Sequence, residues 1–337
     1  MVSHKRGKLL RVEPIPRTPV YDAYWSFAAE RQAIFHRRLR QEPWPWTDDA
    51  ILTSYKFCNV YRASDRVSQF LISQVIYAPI AQELAPEDMF LRVVLFRLFS
   101  KESTWQAIEE STGGLQRTTL HLERLAQLLD DLRSRQAIYT SAFILPPDRR
   151  SPNRPKHRNH LELVARMFGR GGISTSLAQA RSFRDVYRAL LEWPTIGPFL
   201  GYQIAVDLNY TPYIRFSEDD FTVPGPGAIR GLRKVFSSFG NRRPEDLIQM
   251  MVERQEDEFA RLGIRFDNLF GRRLHAIDCQ GLFCEIDKYS RRAFPELKSE
   301  RVRIKHRFTP SGKPLRFFYP PKWEINDRLP STAHPIS

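Results

Sequence analysis

Apolar residues recur at intervals of three and four along most of the chain, which is the spacing of amphipathic α-helices. Between residues 21 and 40 this pattern is formed by Trp25, Phe27, Ile34 and Phe35. The same spacing predicts further helices at about residues 47–77, 87–100, 103–112, 116–136, 160–169, 176–192, 198–209, 225–237, 243–260 and 271–292. The first of these would begin at Thr47, an N-cap residue followed by two aspartates. We therefore predict a mainly α fold.

The C-terminal region has a different period. Basic residues alternate there with other residues, in the order Arg301, Val302, Arg303, Ile304, Lys305, His306, Arg307 and Phe308. An alternation of two predicts a strand with one basic face. Residues 309–312 read as a turn, so residues 315–319 can pair back and form a small C-terminal β-hairpin.

Breaks in the helical pattern divide the chain into parts. Residues 146–160 are rich in proline and in basic residues, which indicates a basic loop or linker. We predict a basic N-terminal arm (1–20), a helical lobe (21–145), this linker (146–160), a second helical lobe (161–270), a C-terminal helix and hairpin packed on the lobes (271–325) and a tail (326–337).

The charge of the chain narrows the choice of partner. It has 52 Lys and Arg against 38 Asp and Glu, a formal net charge of +14. Such a surplus favours nucleic acid, with an anionic membrane surface or a merely basic protein as alternatives. We expect double-stranded DNA as the partner, with no membrane and no obligate protein partner.

Apolar runs and cysteines indicate where the protein acts. The sequence has no run of about eighteen apolar residues, and its basic N-terminus lacks the apolar stretch of a signal peptide. Cys58, Cys279 and Cys284 are an odd set, which argues against a disulfide framework and for a reducing cytoplasm. They are also too few for an iron–sulfur cluster or a four-cysteine zinc site. We therefore expect a cytoplasmic protein with no cofactor and no metal.

The first candidate for chemistry is residues 193–198, Trp-Pro-Thr-Ile-Gly-Pro. A helix ends near Trp193, Gly197 can adopt a positive φ, and Pro198 suits the first position of the next helix. The exposed N–H groups of such a helix–hairpin–helix can hold a DNA phosphate, although an ordinary turn between packed helices explains the residues equally well. The predicted DNA contacts are Thr195, Ile196, Gly197, Phe199, Arg149, Arg150, Arg154, Lys156, Arg301, Arg303 and Lys305.

The second candidate is an acidic segment, Glu218, Asp219 and Asp220, which lies between apolar residues just before a predicted helix. A solvated or helix-capping turn is the simpler interpretation. Together with the hairpin, the segment resembles the core of the helix–hairpin–helix DNA glycosylases. In that core a Gly-Pro turn, an apolar helix (here 204–208) and D-x-x-V (here 220–223) follow one another. In this sequence Thr195 replaces the first hairpin glycine, and the connection to the aspartate is longer by a few residues.

This resemblance implies glycosylase-like helical lobes and a role for Asp220 as the catalytic carboxylate, with Asp219 or Glu218 as alternatives. A fixed carboxylate beside C1′ stabilises the oxocarbenium character that develops when an N-glycosidic bond breaks, after the base has been flipped out. Phe199 stands where bifunctional members carry a lysine nucleophile. The resemblance therefore implies a monofunctional enzyme that uses water and leaves an abasic site.

A second resemblance covers most of the chain. Its motifs are YKFCNVYR (55–62), DRVSQ (65–69), AIDCQ (276–280), FCEIDKY (283–289) and PPKW (320–323). They are similar to the family of α-glutamyl/putrescinyl thymine pyrophosphorylases, clade 2, and of the helical domain of 5-hydroxymethyluracil DNA kinase. This family is associated with hypermodified phage DNA and includes phage-defence glycosylases. The resemblance implies excision of a hypermodified or glucosylated phage base in anti-phage defence.

Polar residues in these motifs are candidates for a base pocket. Several of them lie three, four or seven positions apart, hence on one face of a helix. The predicted pocket residues are Lys56, Asn59, Arg62, Asp65, Gln69, Asp278, Gln280, Glu285 and Lys288. Interhelical ion pairs and structural polar anchoring fit the same spacing.

Other classes of function make different demands on the sequence. A P-loop needs G-x-x-x-x-G-K-[ST], and the lysines after Gly7 and Gly312 are not followed by Ser or Thr. A zinc base deaminase needs C-x-x-C beside H-x-E, and only the second pattern occurs, at 160–162. The main alternative is a helper that binds DNA and presents the modified base to another enzyme. A third class, a pyrophosphorylase, would hold a divalent metal through residues 218–220.

Overall fold

The computed structural model describes residues 15–140, 154–299, 301–304, 306–311 and 315–330. The predicted features outside these residues are the arm before residue 15, Arg149, Arg150, Lys305 and the tail from residue 331. The described part of the chain contains thirteen α-helices, which confirms the predicted mainly α fold. Their bounds are α1 Val20–Leu39, α2 Ala50–Ser54, α3 Arg66–Phe70, α4 Pro86–Phe99, α5 Glu102–Thr112, α6 Leu122–Arg135, α7 Lys156–Phe168, α8 Ile173–Ala178, α9 Phe183–Leu191, α10 Pro198–Leu208, α11 Pro226–Val235, α12 Pro244–Arg261 and α13 Ala276–Ala293. Short 3₁₀ turns lie at Arg62–Ser64, Pro79–Ala81, Arg117–Thr119, Pro321–Trp323 and Asn326–Arg328, and a π-helix at Leu71–Ile76.

Helix α1 buries an aromatic face against helices from the far end of the sequence. The ring of Tyr24 lies 4.8 Å from that of Phe283 on α13, and the ring of Trp25 lies 5.1 Å from that of Phe259 on α12. Full burial of one such side chain contributes about 1.5–3 kcal/mol to stability. The intervals that predicted this helix are therefore those of its buried face.

Helices α4 and α10 form the centre of the fold. Every residue of α4 from Met89 to Phe99 is buried, as is every residue of α10 from Leu200 to Leu208, which is the pattern of enclosed helices. Helix α10 packs on α4 and α9, and α4 also packs on α7. Within the described residues, no helix combines the length and apolar character needed to cross a membrane.

Helices α11 and α13 approach each other closely because α11 has glycines on the contacting face. A Cβ atom at Gly231 would lie 1.9 Å from the carbonyl oxygen of Phe283, and one at Gly227 would lie 2.9 Å from Sγ of Cys284. The first distance is a clash with backbone, which a side-chain rotation cannot relieve. The spacing of these two glycines therefore fixes the distance between the two helices.

The single helix predicted for residues 47–77 is wrong. Asp49, rather than Thr47, is the N-cap of α2, and its side chain accepts hydrogen bonds from the N–H groups of Ile51 and Leu52 at 2.7 and 3.0 Å. The chain leaves the helix at Tyr55 and becomes helical again only in short pieces after residue 61. The interruption occurs because the backbone at residues 54–56 pairs with the C-terminal segment.

The predicted C-terminal β-hairpin is also wrong for the described residues. Arg307 of the basic segment pairs antiparallel with Tyr55 instead of with residues 315–319. On either side of this bridge, Lys56 N–H donates to the carbonyl of His306 at 3.0 Å, and Phe308 N–H donates to that of Ser54 at 3.1 Å.

Two further boundaries differ from the predictions. Helix α7 begins at Lys156, so the last third of the predicted linker is already helical. Residues 176–192 form parts of two helices rather than one, because Ser182 caps α9 by accepting a hydrogen bond from Asp185 N–H at 3.1 Å. The division of the chain into lobes stays a prediction.

Candidate nucleic-acid interface

The turn between α9 and α10 has the predicted place but a different backbone. Thr195, and not Gly197, has the positive φ, at 69°, whereas Gly197 is extended at φ −80° and is the N-cap of α10. A left-handed conformation is unusual for a β-branched residue. A Cβ atom at Gly197 would meet nothing within 4 Å, so internal packing does not require this glycine. The open space in front of it leaves room for a ligand to approach the backbone.

The predicted contacts in this turn differ in exposure. Gly197 and Phe199 are exposed, but the side chain of Ile196 is buried in the core and only its backbone is available to a ligand. No side chain caps the first turn of α10, which begins with Pro198. The N–H groups at the start of a helix lack acceptors within the helix and carry positive potential.

A second helix start lies beside the first. Helix α11 begins with Pro226 after Gly225, and it too has no side-chain cap. The ring of Phe199 packs on Gly225, where a Cβ atom would lie 2.5 Å from its Cε2 atom. Two Gly-Pro helix starts, those of α10 and α11, are therefore in contact through one exposed aromatic ring.

The three acids of the acidic segment have three different environments. Glu218 is buried and pairs with Arg272 at 2.8 Å. Asp219 accepts hydrogen bonds from Nδ1 of His275 at 2.9 Å and from Ala276 N–H at 3.0 Å, so it helps to cap α13. Asp220 is exposed, and its carboxylate has no hydrogen-bond or ion-pair partner among the residues that the structure describes.

The caps and pairs of this segment also set its ionisation. Burial alone would raise the pKa of Asp219. The hydrogen bond from His275 and the charge of its ring outweigh burial, so the pKa of Asp219 lies below its ordinary value. Asp219 is therefore an ionised structural cap near neutral pH.

The three carboxylates are not gathered as a ligand set, and within the described residues no cluster of His, Cys, Asp and Glu could hold a metal ion.

Lys322 of the PPKW motif binds backbone carbonyls in the connection between α10 and the acidic segment. The Lys322 ammonium donates to the carbonyls of Asn209, of Thr211 at 3.0 Å and of Ile214 at 2.6 Å. Burial lowers the pKa of Lys322 to about 8. Trp323 lies under the guanidinium of Arg272, 3.7 Å from ring centroid to Cζ. The motif thus holds carbonyls at the C-terminal end of α10.

Asp278 and Glu285 of α13 do share a helix face, as their spacing predicts. Asp278 accepts hydrogen bonds from Arg62 N–H at 2.9 Å and from His275 N–H at 3.1 Å. Glu285 accepts one from Cys58 N–H at 3.1 Å. The two carboxylates therefore anchor the irregular segment 58–62 on α13, which is the structural interpretation of their spacing.

Arg62 belongs to a buried ionic network. Its guanidinium contacts Asp207 at 2.8 Å, Gln203 at 3.1 Å and the hydroxyl of Tyr210 at 3.1 Å. Arg97 of α4 binds the same carboxylate, with Nη2 donating to Oδ1 at 3.0 Å. We call Arg62, Arg97, Asp207, Gln203 and Tyr210 the buried ionic network.

Other predicted pocket residues also bind backbone. They do not lie on one helix face, because residues 59–69 are not one helix. Asp65 accepts from Asn59 N–H at 2.8 Å, and Gln69 donates to the carbonyl of Ala63 at 2.7 Å and accepts from Phe318 N–H at 2.9 Å. Burial raises the pKa of Asp65 to about 6. The helix-face prediction for these residues is therefore wrong.

The remaining predicted residues are separated in space. Gln280 donates to the carbonyl of Val223 at 2.7 Å. Arg154 is ion-paired with Glu162, and the ammonium of Lys156 lies 4.3 Å from the ring centroid of Tyr139. Four others line one cavity of about 190 Å³, namely Lys56, Lys288, Arg301 and Arg303.

Three residues with charged side chains in that cavity, Arg230, Asp287 and Arg291, were not predicted. Arg230 of α11 binds Asp287 at 3.1 Å, and Arg291 binds the same carboxylate at 2.6 Å. The i, i+4 spacing of Asp287 and Arg291 was a readable signal of an ion pair. Their meeting with Arg230 depends on the approach of α11 to α13, which no local pattern reveals.

Comparisons with known proteins identify the family. The model of the 5-hmdU DNA kinase helical domain matches residues 18–299. The chain belongs to this family. A 5-hmdU DNA kinase of Bacillus phage SP10 is 27% identical to it over 307 residues, which cover 83% of this chain and 46% of the phage protein. The chain thus spans less than half the length of that relative, and no solved structure matches it.

Membership of the 5-hmdU DNA kinase helical-domain family corrects the predicted enzyme class. The sequence was interpreted as a monofunctional DNA glycosylase, which is a hydrolase. The named relative is a DNA kinase, which transfers a phosphoryl group instead of breaking an N-glycosidic bond. The predicted enzyme class is therefore wrong.

Proposed function

We propose that this chain is a DNA-binding helical module that presents a hydroxymethylated pyrimidine to a modifying enzyme. The observation that carries the proposal is the contact between the two uncapped Gly-Pro helix starts of α10 and α11. Such helix starts hold phosphate groups through backbone N–H donors and so bind DNA without reading its sequence. The substrate class comes from the name of the phage relative, 5-hmdU DNA kinase.

Asp220 is our candidate for recognition of the modified base. The ring of the next residue, Phe221, lies 5.3 Å from that of Tyr187 on α9 and 5.6 Å from that of Tyr202 on α10, so Asp220 is followed directly by a residue packed on the two helices that the turn joins. A free carboxylate is an acceptor, and the hydroxyl of a 5-hydroxymethyl group is a donor that thymine lacks. We propose that Asp220 accepts this hydrogen bond.

The proposal covers binding and presentation, not phosphoryl transfer. The sequence contains no P-loop, and it spans 46% of the phage kinase. We expect the protein alone to leave a hydroxymethyluracil duplex chemically unchanged. Mass spectrometry of the recovered DNA tests this, and a released or phosphorylated base would contradict the presenting role.

The affinities of two matched duplexes test the DNA binding and the recognition of the modified base. Two duplexes that differ only in one 5-hydroxymethyluracil or thymine are titrated by fluorescence anisotropy. A hydrogen bond to a charged acceptor contributes about 1.5–3 kcal/mol, so we expect at least about tenfold preference for the modified duplex. The variant Asp220→Ala should lose the preference and keep the DNA binding. Equal affinity of the wild type for both duplexes refutes the base assignment, and no DNA binding refutes the function.

A further inference from the structure

The cavity of about 190 Å³ beside α11 is built from three parts of the chain that only the fold brings together. Its floor is α13, one wall is the first turn of α11 at Gly227, and the other wall is the part of the basic C-terminal segment that contains Arg301, Arg303, Ile304 and His306. That segment is held in place by its pairing with residues 54–56. We call this site the basic cavity, and its cationic side chains are Lys56, Arg230, Lys288, Arg291, Arg301 and Arg303.

The floor of the basic cavity is rigid and partly neutralised. Asp287 is almost fully buried and orients both Arg230 and Arg291, at 3.1 and 2.6 Å. Nη1 of Arg291 also donates to the carbonyl of Arg303 at 3.0 Å, which ties the floor to the C-terminal segment. A guanidinium held by a buried carboxylate keeps its position without a ligand, which lowers the entropy cost of binding one.

The charges of the basic cavity do not balance. Six cations face it, and within the described part of the chain two carboxylates pair with them, Asp287 and Glu285. Glu285 binds Lys288 at 2.6 and 2.8 Å. Lys56, Arg301 and Arg303 are exposed, and the described residues offer their side chains no carboxylate. Such a surplus in a concave site attracts an anion of more than one charge.

The size of the basic cavity limits the ligand. Sites for whole drug-sized or cofactor molecules have about 300–1,000 Å³. The basic cavity is smaller, at about 190 Å³, and six of the side chains that line it are guanidinium or ammonium groups, with the imidazole of His306 as the aromatic ring of the lining. Guanidinium groups match the tetrahedral oxygens of phosphate with paired N–H donors.

We propose that the basic cavity is a phosphate-binding site. It takes a phosphate group, either from the DNA backbone or from a free nucleotide whose remainder lies outside. This inference goes beyond the proposed function because it assigns a phosphate to the guanidinium and ammonium groups of the basic cavity and not to the backbone N–H groups at the starts of α10 and α11. Arg301 and Arg303 close over the group, while Arg230 and Arg291 hold its inner oxygens.

Calorimetric titration with pyrophosphate at constant ionic strength tests the proposal. We expect saturable binding by the wild type and at least tenfold weaker binding by the double variant Arg301→Ala/Arg303→Ala. These side chains are exposed, so the fold should be retained, which circular dichroism verifies. The matched control is Arg124→Ala/Arg135→Ala on α6, which removes two exposed arginines outside the cavity and should bind like the wild type. Lys56→Ala should give an independent, smaller loss.

The outcomes separate the two sources of phosphate. Pyrophosphate that is displaced by an unmodified duplex assigns the site to the DNA backbone, and pyrophosphate that binds together with the duplex assigns it to a free nucleotide. No saturable binding, or equal affinities of the double variant and the control, overturns the proposal. Because Asp220→Ala should not change pyrophosphate affinity, failure of this site is distinguishable from failure of the base-presenting function.

Discussion

The buried ionic network and the basic cavity use the same residue types for opposite purposes. In the network Asp207 is fully buried and shared by two arginines, Arg62 and Arg97, with Gln203 and Tyr210 as further partners. In the cavity one carboxylate again serves two arginines, but further cations stand at the mouth without one. Paired charges inside a protein hold elements together, whereas an unbalanced group of cations in a concave surface attracts anions. Arginine content alone does not distinguish the two.

Removal of Asp207 is the strongest test of the structural role of the buried ionic network. In Asp207→Ala, two buried guanidinium groups lose their carboxylate, and loss of one partner of a buried pair costs about 3–5 kcal/mol. We expect this decrease in the free energy of unfolding in urea. The control is Asp267→Ala, whose pair with Arg265 is 3.3 Å long with side chains 54% and 91% exposed. Exposed pairs contribute about 0–1 kcal/mol, so comparable losses in the two variants would erase the distinction.

A substitution at Gly231 tests whether the close approach of α11 to α13 shapes the basic cavity. A Cβ atom there clashes with the backbone of Phe283 at 1.9 Å, so Gly231→Ala must push α11 away from α13. Overpacking of this kind costs about 1–3 kcal/mol, and here we expect about 3 kcal/mol together with weaker pyrophosphate binding. In the matched control Gly281→Ala on α13, the Cβ atom meets nothing within 4 Å. That variant should gain about 0.5–1 kcal/mol from helix propensity, and a similar loss in both would refute the argument.

The pH dependence of stability tests the anchors next to the network. Burial, and then the charge of Glu218, raises the pKa of Asp278 to about 6. The unfolded value is about 3.9, so the folded state binds more protons between these limits. Stability should therefore fall as pH rises from about 4 to 6, by about 2 kcal/mol from this residue. We expect urea unfolding of Asp278→Asn to lack this fall, and parallel pH profiles of variant and wild type would contradict the assignment.

The salt dependence of DNA affinity tests whether Arg301 and Arg303 of the basic cavity contact DNA phosphates. Each phosphate contact contributes about 0.9 to the slope of log affinity against log salt, so Arg301→Ala/Arg303→Ala should lower the slope for duplex DNA by about 2. The control Arg124→Ala/Arg135→Ala should leave it unchanged. Anisotropy titrations between low and moderate salt measure both slopes. A slope that is the same in the two double variants would remove these arginines from the DNA interface.

The intervals between apolar residues predicted those helices that are continuous and bury one face. Helix α1 was predicted at 21–40 and α12 at 243–260, within a residue of Val20–Leu39 and Pro244–Arg261. The helix predicted at 47–77 failed because its backbone bonds to residues 306 and 308 and to carboxylates of α13. No local pattern contains those partners.

The candidate site was predictable to a similar extent. The shared face of Asp278 and Glu285 followed from a spacing of seven, but their role as anchors depends on a distant segment. The positive φ was assigned to Gly197 by residue type, yet it lies at Thr195. Residue type indicates which residues adopt a positive φ at low energy, but the residue that adopts it here is the β-branched Thr195.

The pairing of residues 54–56 with the C-terminal segment governs how the chain can fold. Ser64 and Tyr319 share a hydrogen bond although they lie 255 positions apart, and Cys58 and Glu285 lie 227 apart. Closing loops of that length costs chain entropy before any contact compensates for it, so such topologies fold slowly. We therefore expect helices with local contacts, such as α9 and α10, to form early in refolding, and the C-terminal segment that lines the basic cavity to dock later.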